Sequence, residues 1–254
     1  MSRTGALLLA VTTTVLAPAL RAQDAVPVNR LQLSAEHNRL DQGLPDWNEL
    51  TLRYSRQWER HELAEVALTQ ARRFGQNDSQ LEALYVRPLG PRLTASAQLS
   101  SSPDHHFLPR HSLEAGAQYE FMPAWLLHGR LRHSNYDTAS VDQATLMLER
   151  YAGSYSASLA WRPVRTLGTH ASGFELRGNR YYGQDSLIGL IASSGQEATQ
   201  LGAGVVALAD VRSLALVGRH RIDRGWSLTY SLSRTRQGSF YRRTGFSAGV
   251  QRDF

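Results

Sequence analysis

The chain has 254 residues, a formal charge of +6, 42% hydrophobic residues, 20 Gly, 9 Pro and no Cys. The lack of Cys excludes a disulfide framework and any thiolate metal site, and Gly and Pro are too few and too irregular for a fibrous or low-complexity chain. A mean hydropathy of −0.36 excludes a polytopic helical membrane protein, whose spans need about 20 consecutive apolar residues, yet it leaves room for a membrane β-barrel, in which only alternate residues face lipid.

Residues 1–22 have the layout of an export signal: Arg3, an apolar run from Ala6 to Leu16, then small residues at Ala17, Ala19 and Ala22 before a cleavage point. The remaining residues, 23–254, alternate. Apolar and polar side chains change places every second position around 31–40, along Leu50, Leu52 and Tyr54 to Trp58, around 64–73 and 81–87, and along Leu93 to Leu99. The pattern returns in Leu113 to Phe121, 126–134, Ala144 to Leu148, Tyr155 to Trp161, 174–182, 186–194, 211–221, Trp226 to Leu232 and Phe246 to Phe254. Period two is the signature of a strand with one apolar face.

Three features separate a membrane barrel from a soluble sandwich. The units run to about ten residues, the reach of a tilted strand across a bilayer. Trp47, Trp58, Trp125, Trp161, Trp226, Tyr119, Phe121 and Tyr155 stand at or near unit ends, where interfacial girdles place aromatics. The connections are expected to alternate: tight turns at 58–62, 88–92, 122–125, 151–154, 183–185 and 222–225, and mostly longer loops at 41–46, 75–79, 100–110, 135–141, 163–172, 195–210 and 235–243. Six turns and seven loops predict an all-β, up-and-down antiparallel barrel of 14 strands with both termini in the periplasm; 12 strands is the alternative if one hairpin does not span.

The last strand ends in Phe254, with Phe246 and Val250 on the same face, and is similar to the terminal signal read by the outer-membrane barrel-assembly machinery. Arg252 departs from that pattern. The runs Val211 to His220, Trp226 to Tyr230, Arg236 to Arg243, Leu44 to Trp47, Arg73 to Gly75, His106 to Arg110 and Leu148 to Tyr151 resemble the YaiO family of outer-membrane β-barrels. The resemblance implies the barrel fold and a Gram-negative outer-membrane location, and no particular substrate.

Function is carried by the polar face. A charge facing lipid at mid-membrane costs about 2–4 kcal/mol, so Arg53, Glu114, Glu120, His128, Arg130, Arg132, Glu149, Arg162, Glu175 and Arg177 are predicted to point inward. They either line a water-filled passage for a polar solute or saccharide, or pair across the lumen as a plug in a closed structural barrel. A barrel of 14 strands is wider than side chains alone fill, which favours the passage. Arg234, Arg236, Arg242 and Arg243 are predicted at the seventh outer loop, where guanidinium groups suit lipopolysaccharide phosphates; outer-membrane lipid and lipopolysaccharide are the expected partners, with any periplasmic partner unspecified.

All basic residues are Arg and are interleaved with acids along the chain, so nothing points to nucleic acid. His111-Ser112, His133-Ser134 and Asp104-His105-His106 supply the residue types of a lipid-modifying hydrolase or acyltransferase. Neighbouring strand residues face opposite ways, however, so no catalytic couple, no enzyme, no cofactor and no metal is expected.

Overall fold

The computed structural model describes residues 28–59, 62–200 and 206–254, with the side chains of 197–207 outside the description. The expected export signal, 1–22, falls outside the described residues. The chain forms 14 strands: β1 Val28–Leu40, β2 Trp47–Glu59, β3 Glu62–Arg73, β4 Gln76–Pro88, β5 Leu93–Ser101, β6 His111–Met122 and β7 Trp125–Asn135. They continue as β8 Ser140–Ala152, β9 Tyr155–Thr166, β10 Thr169–Tyr182, β11 Ser186–Gln200, β12 Val206–Asp223, β13 Trp226–Gln237 and β14 Tyr241–Asp253. Each strand pairs antiparallel with its chain neighbours, and β1 pairs with β14, so the sheet closes on itself. The count is 14 and not 12.

Closure leaves one wall to serve two solvents, and the alternation divides it. On β9 the side chains of Leu159 and Trp161 are 55% and 45% exposed on the outer face, while Ala160 between them is 1% exposed on the inner face. Leu50, Leu113, Leu131, Leu176 and Leu214 lie on the same outward face of their strands. Only acyl chains make such a surface favourable, because contiguous apolar patches of this extent are rare on soluble monomers.

With both termini at one end, that end is taken as periplasmic and the other as outer. Tryptophans at the periplasmic end carry arginines over their rings: Arg56 on Trp58 at 5.7 Å, Arg150 on Trp125 at 5.0 Å and Arg252 on Trp226 at 5.1 Å. Trp161 instead sits well inside β9, and Trp47 turns inward with 1% exposure, so neither belongs to a girdle.

The expected contrast of tight turns and longer loops holds only in part. The outer connections after β3 and β9 are the two-residue turns Phe74-Gly75 and Leu167-Gly168, with φ of 52° and 80°, and 50° and 74°. Positive φ at both central residues gives the hairpin twist that lets the strands continue to the tip, so 163–172 is mostly strand and not loop. The segment 102–110 between β5 and β6 is a genuine loop.

One seam is imperfect. Pairing between β8 and β9 stops at Gln143/Val164 and resumes at Leu146/Trp161, skipping the positions of Ala144, Thr145, Arg162 and Pro163. Pro163 has no N–H to donate, which accounts for the interruption.

Candidate functional site

All ten charged residues expected inside fall on the inward parity of their strands and are buried or half-buried. They form pairs. Arg53 bonds Glu65 across β2 and β3. Glu175 holds two arginines, Arg162 at 2.7 Å and Arg177 at 3.5 Å. Arg130 lies 3.6 Å from Glu114, His128 lies 3.1 Å from Glu149, and Arg132 donates to Ser112 at 3.3 Å. Glu120 sits near the periplasmic turn, accepting the Ala124 N–H at 3.2 Å.

Between the walls lies a cavity of about 530 Å³. Arg53 and Glu65 face it from one side, and Arg162, Glu175 and Arg177 from another. Among the expected residues, Glu114, Glu120, His128, Arg130, Arg132 and Glu149 are not part of this lining. The stretch of wall from β12 to β14 is hydroxyl-rich: Ser213 bonds Thr235 at 3.0 Å and Ser231 bonds Ser247 at 2.7 Å. Six arginines and four glutamates line the cavity, so with its many hydroxyls it presents hydrogen bonds of both kinds and keeps a positive excess.

The outer end of the interior is filled by apolar side chains that the alternation did not single out. Trp47, Leu40 and Tyr241 pack together, with Phe74 set edge-on to Trp47 at 5.1 Å. Phe107 and Leu108, from the 102–110 loop, pack on Ala71 of β3. Tyr136, Val141 and Val164 fill a third sector, where burial pushes the Tyr136 phenol well above its ordinary pKa. Arg73 joins the first two clusters: its guanidinium lies 5.1 Å from the Trp47 ring and 5.2 Å from the Phe107 ring, and it donates to Glu49 at 3.1 Å. Cation–π contact and an ion pair together explain how an arginine is held among aromatics.

The loop is latched by one carboxylate. Asp78 on β4 is fully buried. Its Oδ1 accepts the His106 backbone N–H at 3.0 Å and the His106 imidazole Nδ1–H at 2.8 Å, while Oδ2 accepts the N–H groups of Phe107 at 2.8 Å and Leu108 at 2.7 Å. The hydrogen bond to Asp78 raises the pKa of His106 above its ordinary 6.5. Sequence reading missed Asp78, Arg73 and Glu65; the first lies beside a turn, and the other two sit in a weakly alternating unit.

The outer arginines divide. Arg234, Arg236 and Arg242 face outward and are exposed. Arg243 does not: it points inward, 7% exposed, with its guanidinium 5.3 Å from the Trp47 ring, because it is one residue out of phase with Arg242. Phe246 and Val250 share the lipid face of β14, Phe254 is exposed just past its end, and Arg252 donates to the Arg224 carbonyl at 3.0 Å.

Ser112 and Ser134 point inward while His111 and His133 point outward. His133 is engaged by Asp142 at 2.6 Å, and His105 by Asp137 at 2.9 Å. Among the described residues no group of three or more His, Cys, Asp or Glu converges as a metal site.

A closed sheet that is apolar outside and charged within defines a membrane β-barrel of the outer-membrane type. The YaiO membrane beta barrel domain matches residues 28–200, and the chain belongs to that family. Among solved structures it is similar to a bacterial polysaccharide outer membrane secretin, with 9% identity, 89% of this chain and 97% of that chain covered, and a TM-score of 0.60. It is also similar to the outer membrane protein Omp33 of Acinetobacter baumannii, with 9% identity, 87% and 97% covered, and a TM-score of 0.55. At such identities the likeness concerns the fold alone. No curated protein matches the chain.

Proposed function

We propose that this protein is a non-enzymatic channel of the Gram-negative outer membrane, passing a neutral or weakly anionic polar solute of saccharide type and gated at its outer mouth. The observation that supports this most is the cavity of about 530 Å³ between charge-paired walls and a hydroxyl-rich wall. That volume lies within the ~300–1,000 Å³ range of small-molecule sites. The Arg and Glu groups offer donors and acceptors to sugar hydroxyls, and the excess of arginine in the lining favours a weakly anionic solute over a cation. The 102–110 loop and the aromatic layer around Arg73 are the gate, with Asp78 as its latch.

Single-channel recording of the purified protein in planar bilayers tests this reading. Discrete conductance steps that a soluble oligosaccharide blocks are expected. A protein that inserts as a folded barrel and yields no steps, even after the latch is removed by Asp78→Asn, contradicts it.

A further inference from the structure

The lipid-facing surface carries a feature that a channel does not need. A hollow of about 1170 Å³ indents the outer half of the wall between β6 and β12. Its lower part is apolar, with Leu113, Leu131, Ala144 and Trp161, and its upper edge is polar, with His133, Asp142, Arg165, His170 and Arg212. The wall can bend here for two reasons. The β8–β9 ladder is interrupted at Pro163. Gly173 and Gly195 also stand opposite each other on β10 and β11, so close that a Cβ on Gly195 would lie 2.1 Å from the Gly173 Cα.

The rim carries charges of both signs, with Asp142 and Arg165 in register across β8 and β9. Asp142 is taken by His133, and Asp210 accepts the Gln196 amide at 3.1 Å. Arg165 and Arg212 have no carboxylate partner among the described residues. From Arg212 a row of like charges continues along the barrel: Arg212 is the cross-strand partner of Arg236, and Arg236 that of Arg242, all three exposed on the outward face. Like charges set directly opposite one another repel, so three in a row store a cost that a multivalent anion relieves. Guanidinium groups match phosphate geometry.

We propose that the hollow and the arginine row together bind one phosphorylated glycolipid of the outer leaflet, of the lipopolysaccharide type. Its acyl chains lie against Leu113, Leu131, Ala144 and Trp161, and its phosphates on Arg212, Arg236 and Arg242. The hollow exceeds the ~300–1,000 Å³ of a drug-sized site, so it takes a multi-chain lipid in preference to a single chain. This assignment is independent of whether the lumen conducts.

Native mass spectrometry of the purified barrel in non-ionic detergent tests it, with titrated rough-type lipopolysaccharide, dephosphorylated lipid A and phosphatidylglycerol as probes. The wild type is expected to hold one lipopolysaccharide, and the R212Q/R236Q/R242Q variant to bind it on the order of tenfold more weakly, as expected for lost charge-assisted bonds. Dephosphorylated lipid A is expected to bind the wild type more weakly and to be indifferent to the arginine changes. Ala144→Trp, which fills the hollow and leaves the arginines in place, is expected to weaken both lipids. Heat-modifiable electrophoretic migration confirms that each variant is a folded barrel. Equal lipopolysaccharide retention by wild type and both variants overturns the proposal, as does phosphatidylglycerol binding as tightly as lipopolysaccharide.

Discussion

Asp78→Asn is expected to release the 102–110 loop from the barrel mouth. The carboxylate accepts four hydrogen bonds, two on each oxygen, three of them from backbone N–H groups. An asparagine keeps one acceptor oxygen, which can serve Phe107 and Leu108, and turns an NH₂ group towards the two donors of His106. The retained bonds lose their charge assistance, which about halves their strength, and the His106 N–H loses its acceptor. At about 1–3 kcal/mol for a bond of this kind, the docked loop loses about 2–4 kcal/mol in all. That corresponds to a shift of roughly 30-fold to 1,000-fold towards the open loop. The apolar seat of Phe107 and Leu108 on Ala71 is unchanged, so the barrel itself stays folded. Amide hydrogen exchange in the micelle-bound protein reads the shift directly: Phe107 and Leu108 are expected to exchange at least about 30-fold faster, while amides in the β3–β4 ladder keep their protection. Unchanged exchange at those two amides refutes the latch, and with it the gate built on it.

Other consequences follow from the same geometry. The pKa of His106 is raised in the docked loop, so its contribution to docking is complete below about 6.5 and is lost as pH climbs through the raised value. Protection of Phe107 and Leu108, corrected for intrinsic exchange, is therefore expected to fall as pH rises above about 6.5 in the wild type and to stay flat in His106→Gln; parallel curves contradict the linkage. Glu175→Gln leaves Arg162 and Arg177, 15% and 11% exposed, without their carboxylate, and is expected to cost about 3–5 kcal/mol in urea unfolding from lipid vesicles. A loss below about 1 kcal/mol means the lumen there is as wet as bulk water. Pro163→Val returns an N–H to the interrupted seam and is expected to add about 0.5–1.5 kcal/mol in the same assay. No gain there shows that something other than the missing donor parts β8 from β9.

The sequence is a good guide to parity and a poor one to the ends of the barrel. Period-two alternation reports which face a side chain takes, so Arg162, Glu175 and Arg177 were legible as inward residues with nothing more than a strand register. It does not report height or what lies across the lumen, so the sharing of Glu175 by two arginines was invisible. At the outer end the rule that aromatics mark the interface fails, because inward positions there pack against one another; Trp47 is such a position. Arg243 was misplaced for a related reason: the cluster 242–243 reads as one patch in sequence, whereas adjacent strand residues face opposite solvents. Asp78 carried no signal, since its partners lie 28 to 30 residues away in a loop whose path only the fold determines. Pro163 and Gly168 read as loop punctuation, yet the turn is confined to Leu167-Gly168 and the proline is carried inside β9.

The account depends on every second residue of these strands touching acyl chains while its neighbours face an aqueous interior. The chain has no native Cys, so single cysteines placed one at a time along β9, from residue 155 to residue 166, can be spin-labelled against a clean background. In lipid vesicles, labels at 157, 159 and 161 are expected to collide with oxygen, which concentrates in hydrocarbon, and labels at 158, 160 and 162 with a water-soluble nickel chelate or with neither reagent. Oxygen accessibility without a period of two, or apolar positions shielded from oxygen, would contradict the membrane barrel itself.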